Sequence, residues 1–193
     1  MIGEALVQVC NLLNAYLNMK SGWTPGDDGE AKVVLLDGEK SDPVGFKLDA
    51  VTGLLINVEQ EHTLRSADPH KRIQTNGTSV AVQPEIRLNL YVLFVASFKK
   101  YEQGLNCLSH IIQYFQSNRV FDHLNAPMLS DSVEKLIIEM VTLPFSEQNQ
   151  IWSTLRTPYR PSVLYRVRML VFADDAATGT AAIEEEEIQV LQQ

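Results

Sequence analysis

The sequence has 193 residues, with 16 Lys and Arg against 24 Asp and Glu and a formal net charge of −8. This acidic balance argues against general binding to nucleic acid or to an anionic membrane surface, since both repel a negatively charged protein. No apolar run reaches the roughly 18 residues that span a bilayer, and the N-terminus lacks the basic head and cleavage site of a signal peptide. We expect one globular domain that binds neither nucleic acid nor membrane.

The negative charge is concentrated at the C-terminus. Residues 174–193 contain six acidic residues and no Lys or Arg, so residues 1–173 are close to neutral. The two cysteines, Cys10 and Cys107, each lie within an apolar helical pattern. This placement predicts buried structural thiols in a reducing compartment rather than a disulfide or a zinc site.

The first half of the sequence predicts one helix followed by short strands. Over residues 2–20 apolar side chains recur every three or four positions, which is typical of an amphipathic helix. Residues 32–37 and 51–61 contain the short apolar runs of buried strands. The polar segment 62–80 is predicted to be irregular, and a connection of this length in a compact domain is usually functional or mobile.

The second half contains the strongest strand pattern, over residues 85–98. Its first part alternates apolar and polar side chains, and its second part is apolar on both faces, as in a central strand covered on each side. The remaining predicted elements are a helix over 101–116, a strand over 133–143, a short helix over 146–155 and a strand over 162–172.

These elements predict an α/β (α+β) domain over residues 1–173, built on a single mixed β-sheet flanked by helices. In its last strand, Tyr165 and Val167 alternate with Arg166 and Arg168, so the arginines are expected on the face opposite the core. Residues 174–193 are small, acidic and glycine-bearing at first, which predicts an extended C-terminal arm.

The sequence contains no evident catalytic constellation. No two of the four histidines have the i, i+3 or i, i+4 spacing of a helical metal pair, and no phosphate-binding glycine loop or nucleophile motif is present, so no cofactor is expected. Asp131, Glu134 and Lys135 superficially resemble the carboxylates and lysine of a metal-dependent nuclease. We expect Glu134 and Lys135 on opposite faces of a strand, which argues against that site. A metal-dependent hydrolase remains an alternative.

Three stretches resemble one family: MIGEALVQVCNLLNAYLN at the N-terminus, PEIRLNLYVLFVASF with the helix that follows, and LPFSEQNQIWSTL with YRPSVLYRVRML near the end. Together they are similar to the N-terminal domain of cap proteins, the tail terminators of extracellular contractile injection systems. These systems are particles that resemble phage tails. The resemblance covers nearly all of residues 1–173. Some relatives carry a further domain after this one, whereas here only twenty residues follow.

The resemblance implies a structural role, without enzymatic activity or a cofactor. Family members form a hexameric ring that closes the distal end of the sheath and inner tube, so the implied partners are further copies of the chain and the last sheath and tube subunits. The implied location is the cytoplasm during assembly and then the particle, which can be released. Another component of the same particle, such as a baseplate protein or a sheath adaptor, remains an alternative.

Two groups of residues are candidates for contacts with those partners. Arg160, Arg166 and Arg168 suit bidentate pairing with carboxylates of a neighbouring subunit, or alternatively pair with acids of this chain. In the arm, Ile188 and Val190 belong to a short β-prone segment that we expect to add a strand to a neighbour's sheet. The acidic run before it is expected to face a basic strip on the partner or to keep the arm soluble: Glu184, Glu185, Glu186 and Glu187.

Overall fold

A computed structural model of the chain describes residues 1–20, 31–38, 44–61, 71–73, 79–81 and 86–171. Within these residues the elements are α1 (Ile2–Met19), β1 (Val33–Leu35), β2 (Ala50–Gln60), β3 (Lys71–Ile73), β4 (Ser79–Ala81), β5 (Ile86–Ser97), α2 (Tyr101–Ser117), β6 (Val120–Asp122), β7 (Val133–Val141), α3 (Phe145–Thr154) and β8 (Ser162–Val171). The predicted boundary at residue 173 and the arm beyond it lie outside the described residues.

Six strands form one mixed sheet in the order β1-β2-β5-β8-β7-β6. β1 runs parallel to β2, and every other neighbouring pair is antiparallel. This confirms the predicted fold class, and it confirms the central position of β5, which pairs with β2 on one side and with β8 on the other. The sheet and the three helices belong to one compact unit, Met1–Glu61 with Ile86–Phe172.

The expectation of an irregular segment over residues 62–80 was wrong in part. β3 and β4 pair in antiparallel register, Lys71 with Ala81 and Ile73 with Ser79, within a second unit that contains His62–Glu85. The three-residue strand β6 was also missed, because so short a run has no measurable periodicity.

Helices α1 and α2 pack on one face of the sheet and enclose the main hydrophobic core. Their apolar stripes, which include Leu13 and Leu17 of α1 and Ile111 and Phe115 of α2, are buried as predicted. Cys10 and Cys107 are buried in this core as expected, and burial raises the pKa of each thiol to about 12. Both thiols are therefore protonated at neutral pH.

The side chain of Asn14 in α1 forms hydrogen bonds with the backbone of β1 and of the residue before it. The Asn14 amide accepts hydrogen bonds from the backbone N–H groups of Lys32 and Val33, each at 2.9 Å, and donates one to the Val33 carbonyl at 2.8 Å. These bonds satisfy the backbone of a short edge strand on the side that faces the helix. They hold β1 against α1 while it pairs with β2.

The start of β7 departs from a regular strand. The register slips between Val133 and Lys135, which is the signature of a β-bulge. Val133 and Leu136 are both buried, and Glu134 and Lys135 between them both point outward, with Lys135 Nζ 3.8 Å from Glu134 Oε1. The expectation that these two side chains occupy opposite faces was therefore wrong. The extra residue of the bulge shifts the alternation of inward and outward side chains by one position.

Candidate assembly surface

The second face of the sheet is only partly covered by the residues that the structure describes. At one end, Trp152 of α3 and Phe46 pack over Leu54, Leu93 and neighbouring apolar side chains. Beyond this cover the side chains on the same face become polar and form a network across four strands, which we call the polar ladder: Glu59 and Glu61 of β2 and its end, Asn89 and Tyr91 of β5, Arg166 and Arg168 of β8, and Glu139 of β7.

The centre of the polar ladder is one carboxylate held by two arginines. The Nη2 atom of Arg166 donates to Glu139 Oε2 at 2.6 Å, and the Nη2 atom of Arg168 donates to Oε1 at 2.5 Å. Hydrogen bonds from Arg168 and Arg166 lower the pKa of Glu139 from its ordinary value of 4.5 to about 2. The carboxylate therefore stays ionised across the physiological range, and the centre carries a net positive charge.

The ladder continues to the opposite edge through neutral side chains. The Tyr91 hydroxyl donates to Glu59 Oε2 at 3.0 Å, and the Asn89 amide donates to Glu61 Oε2 at 3.1 Å. Burial, together with the hydrogen bond to Glu59, raises the pKa of Tyr91. The charges thus alternate across the sheet, from acids on β2 to arginines on β8 and back to an acid on β7.

Several buried polar atoms of the ladder have no partner in the described part of the chain. Asn89 is only 6% exposed, and its carbonyl oxygen accepts no hydrogen bond. The Nε atoms of Arg166 and Arg168 likewise donate to nothing. Within the described residues, the ladder therefore leaves three buried polar atoms without a hydrogen bond, which is uncommon in folded proteins.

The structure brings together two of the three predicted arginines. Arg166 and Arg168 share one carboxylate, which is the alternative of pairing with an acid of the same chain. Arg160 lies beyond the other end of β8, where its Nη1 donates to Ser97 Oγ at 3.0 Å and its guanidinium lies 6.0 Å from the Phe46 ring centroid. The predicted arm residues, Ile188 and Val190 with Glu184, Glu185, Glu186 and Glu187, lie outside the described residues.

Sequence reasoning missed the partners of these arginines. The outward orientation of Glu139 could have been predicted from the sequence. Glu139 alternates along β7 with the buried residues Leu136 and Ile138, so it must face away from the core. Its contact with β8 depends on strand order, which a single strand's pattern does not contain. Tyr91 and Asn89 were equally visible as the polar positions of β5, but their partners on β2 depend on register across a bulge between Leu55 and Asn57.

The described residues contain no group of three or more His, Cys, Asp or Glu side chains placed to hold a metal ion. In the same residues, no helix combines the length and apolar character that crossing a membrane requires.

Comparison with known proteins gives a consistent picture. The family model of the Pvc16 N-terminal domain matches residues 8–185. The fold is similar to the sheath/tube terminator of PVC, an extracellular contractile injection system, in its extended state, with a TM-score of 0.61 and 16% identity, covering 100% of this chain and 65% of that chain. It is also similar to the anti-feeding prophage cap, a tube-terminating cap, with a TM-score of 0.58 and 13% identity over 96% of this chain and 60% of that one. No curated protein matches the sequence.

Proposed function

The chain belongs to the Pvc16 N-terminal domain family, and from this membership we propose that it is a structural terminator of a contractile injection system. In this role it closes the end of the sheath and inner tube, and it acts by binding other subunits rather than by catalysis. The observation that carries the proposal is the match of the fold to two end-closing proteins, one over the whole chain and the other over nearly all of it. The chain spans 65% of the length of the first of those proteins and 60% of the second.

We propose that the terminator works as a closed ring of six copies. A ring that seats on a six-fold tube is most simply built with the symmetry of the tube, and heterologous contacts that close generate such rings. Each copy brings a net charge of −8, so copies repel one another at low ionic strength. Ring formation is therefore expected to be weak for isolated chains in low salt and stronger on the particle, where other subunits contribute contacts.

The polar ladder is the proposed surface for one of these contacts. Its two arginines are concentrated on a face that α3 leaves uncovered, and their side chains are about one third exposed. A carboxylate-bearing segment of a sheath or tube subunit fits this chemistry, because guanidinium groups bind carboxylates in a planar, directional way. Arg160, beyond the other end of β8, belongs to a separate part of the surface.

The experiment that tests the proposed function is to produce particles with and without the chain and to image their ends by electron microscopy. With the chain, we expect a density layer at the end remote from the baseplate and uniform sheath length. Without it, we expect open ends and variable or unstable sheaths. Particles of normal length with an unchanged end layer in the absence of the chain would refute a terminator role. A layer at the baseplate end instead would identify a baseplate component.

The proposed arm has its own test. If residues 174–193 add a strand to a neighbouring sheet, their deletion should leave the domain folded but reduce capping, since the backbone hydrogen bonds of an added strand supply much of the affinity. A control with scrambled order in the same twenty residues separates sequence-specific pairing from net charge. Truncated protein that caps particles of normal length as well as the full chain does would show that the arm is dispensable.

A further inference from the structure

A small aromatic pocket lies at the end of the sheet where β5 ends and β8 begins. It has a volume of about 230 Å³ and is lined mainly by Phe98, Tyr101, Pro158, Tyr159, Arg160 and Pro161. This is below the roughly 300–1,000 Å³ of small-molecule sites. The pocket therefore has the size and the apolar lining to hold one large side chain rather than a metabolite.

Gly104, in the first turn of α2, lines the pocket and lets the helix approach the sheet closely. A Cβ atom added to Gly104 would lie 3.2 Å from the Phe98 ring and 3.4 Å from the Ala96 side chain. Tyr101 and Tyr159 on its rim are 65% and 60% exposed. Rigid aromatic side chains displayed in this way are typical of the anchor regions of protein interfaces.

A protruding apolar side chain lies on the loop between β6 and β7. Leu124 is 95% exposed, and Met128 on the same loop is also largely exposed. The loop is nevertheless fixed: Asp122 Oδ1 accepts from the backbone N–H groups of Leu124 and Asn125, and the Asn125 amide donates to the Val120 carbonyl at 2.9 Å. Ala126 then anchors the loop in the core. We call Leu124 with Met128 the apolar knob.

The apolar knob and the aromatic pocket lie at opposite ends of the strands. Val133, where the loop re-enters the sheet, pairs with Val171, which pairs with Ile86 at the start of β5. The pocket lies beyond Ser162 and Val95, at the other end of the same two strands. The 12 residues of β5 separate the two features by about 40 Å, at about 3.3 Å per residue. A chain therefore cannot fill its own pocket with its own knob.

We infer that the apolar knob of one copy seats in the aromatic pocket of the next copy around the ring. This inference rests on the proposed function, since a closed ring with head-to-tail contacts needs two different complementary surfaces on one chain. The charges of the two surfaces are complementary. Asp131, three residues after Met128, is exposed, and so is Lys100, which directly precedes the pocket residue Tyr101; neither has an ion-pair partner in the described residues. The guanidinium of Arg160 adds a second positive charge to the pocket wall.

The test is chemical cross-linking between copies on assembled particles. His123→Cys places a thiol beside the knob and Gln103→Cys places one beside the pocket, without changing Leu124 or the pocket wall. The native Cys10 and Cys107 do not compete, because they are buried and their pKa is raised to about 12. With a short flexible bismaleimide, the double variant should give a ladder of covalent oligomers up to six chains, and either single variant should give dimers at most.

The matched control replaces His123→Cys by Gln60→Cys, an exposed position at the same end of the strands but on the opposite edge of the sheet. It should give no ladder. A ring visible at the particle end without cross-links in the His123/Gln103 pair would overturn the knob-in-pocket contact and leave the terminator role standing. Particles on which the chain forms no ring at all would overturn both.

A second experiment replaces the apolar side chain of the knob. Leu124→Lys should weaken assembly of the ring about tenfold or more, because burial of a leucine is lost and a positive charge faces the guanidinium of Arg160 in the pocket wall. Met19→Lys, at a position 80% exposed and outside the knob, should assemble as the unaltered chain does. Circular dichroism confirms that both variants fold. Normal assembly by Leu124→Lys would contradict the inference.

Discussion

The two faces of the sheet are stabilised by different kinds of interaction. On the helix-covered face, Phe94, Phe115 and Tyr165 pack with ring centroids 4.8–6.0 Å apart in an apolar core. On the uncovered face, one residue away along β8, Arg166 and Arg168 bind a single carboxylate, and all three side chains are about one third exposed. The first face draws its stability from buried apolar area, and the second from polar contacts weakened by water and salt.

Alternate residues of β8 point to opposite faces, so a change at Tyr165 alters the core, whereas a change at Arg168 alters the surface. If the polar ladder binds a neighbouring subunit as proposed, stability and recognition are separated within one strand. Substitutions on each face should therefore differ in size and in kind.

The largest effect is expected from Phe94→Ala on the helix-covered face. Phe94 is fully buried against Phe115 and Tyr165, and its truncation should lower the free energy of unfolding by about 3–5 kcal/mol. Urea denaturation measures this change. The matched control is Phe145→Ala, because Phe145 is almost fully exposed and should contribute less than about 0.5 kcal/mol. Equal effects at the two positions would contradict the assignment of the core.

A smaller effect is expected from Glu139→Gln on the uncovered face. The change leaves Arg166 and Arg168 without their shared counter-charge, which should lower the free energy of unfolding by about 1 kcal/mol at low salt. Added salt should reduce the loss, because the group is about one third exposed. Glu134→Gln on the same strand is the control, and its looser pair with Lys135 should be worth only a few tenths of a kcal/mol.

The pH dependence of stability should report the same carboxylate. Because the pKa of Glu139 is lowered to about 2 in the folded chain, its contribution to folding is complete above its ordinary pKa of 4.5 and is lost as the pH falls from 4.5 toward 2. The difference in unfolding free energy between the unaltered chain and Glu139→Gln should shrink over that window. Urea titrations at neutral pH and at steps down to pH 2 measure it. A difference that stays constant throughout would show that Glu139 is not held by the arginines.

The sequence predicted the helix-covered face better than the uncovered one, for a physical reason. The burial of Tyr165 and Val167, and the opposite placement of Arg166 and Arg168, follow from alternation within one strand. The identity of their partner does not, since Glu139 meets β8 only through strand order and register. The bulge before Lys135 shows the same limit, because an inserted residue reverses the alternation on which the expectation for Glu134 rested. Local patterns thus determine which way a side chain faces, and long-range pairing determines what it meets.

The smallest effect on stability, and the most informative for assembly, is expected when the whole charged centre is neutralised. In the triple variant Glu139→Gln, Arg166→Gln, Arg168→Gln no arginine is left without its counter-charge, so the loss of stability should be smaller than for Glu139→Gln alone. If the polar ladder binds a neighbouring subunit, this folded variant should cap few or no particles, because it lacks the guanidinium groups that recognise a carboxylate. Counting capped ends by electron microscopy beside the Glu134→Gln control measures this directly. Normal capping by the triple variant would show that the arginines serve only Glu139 of their own chain.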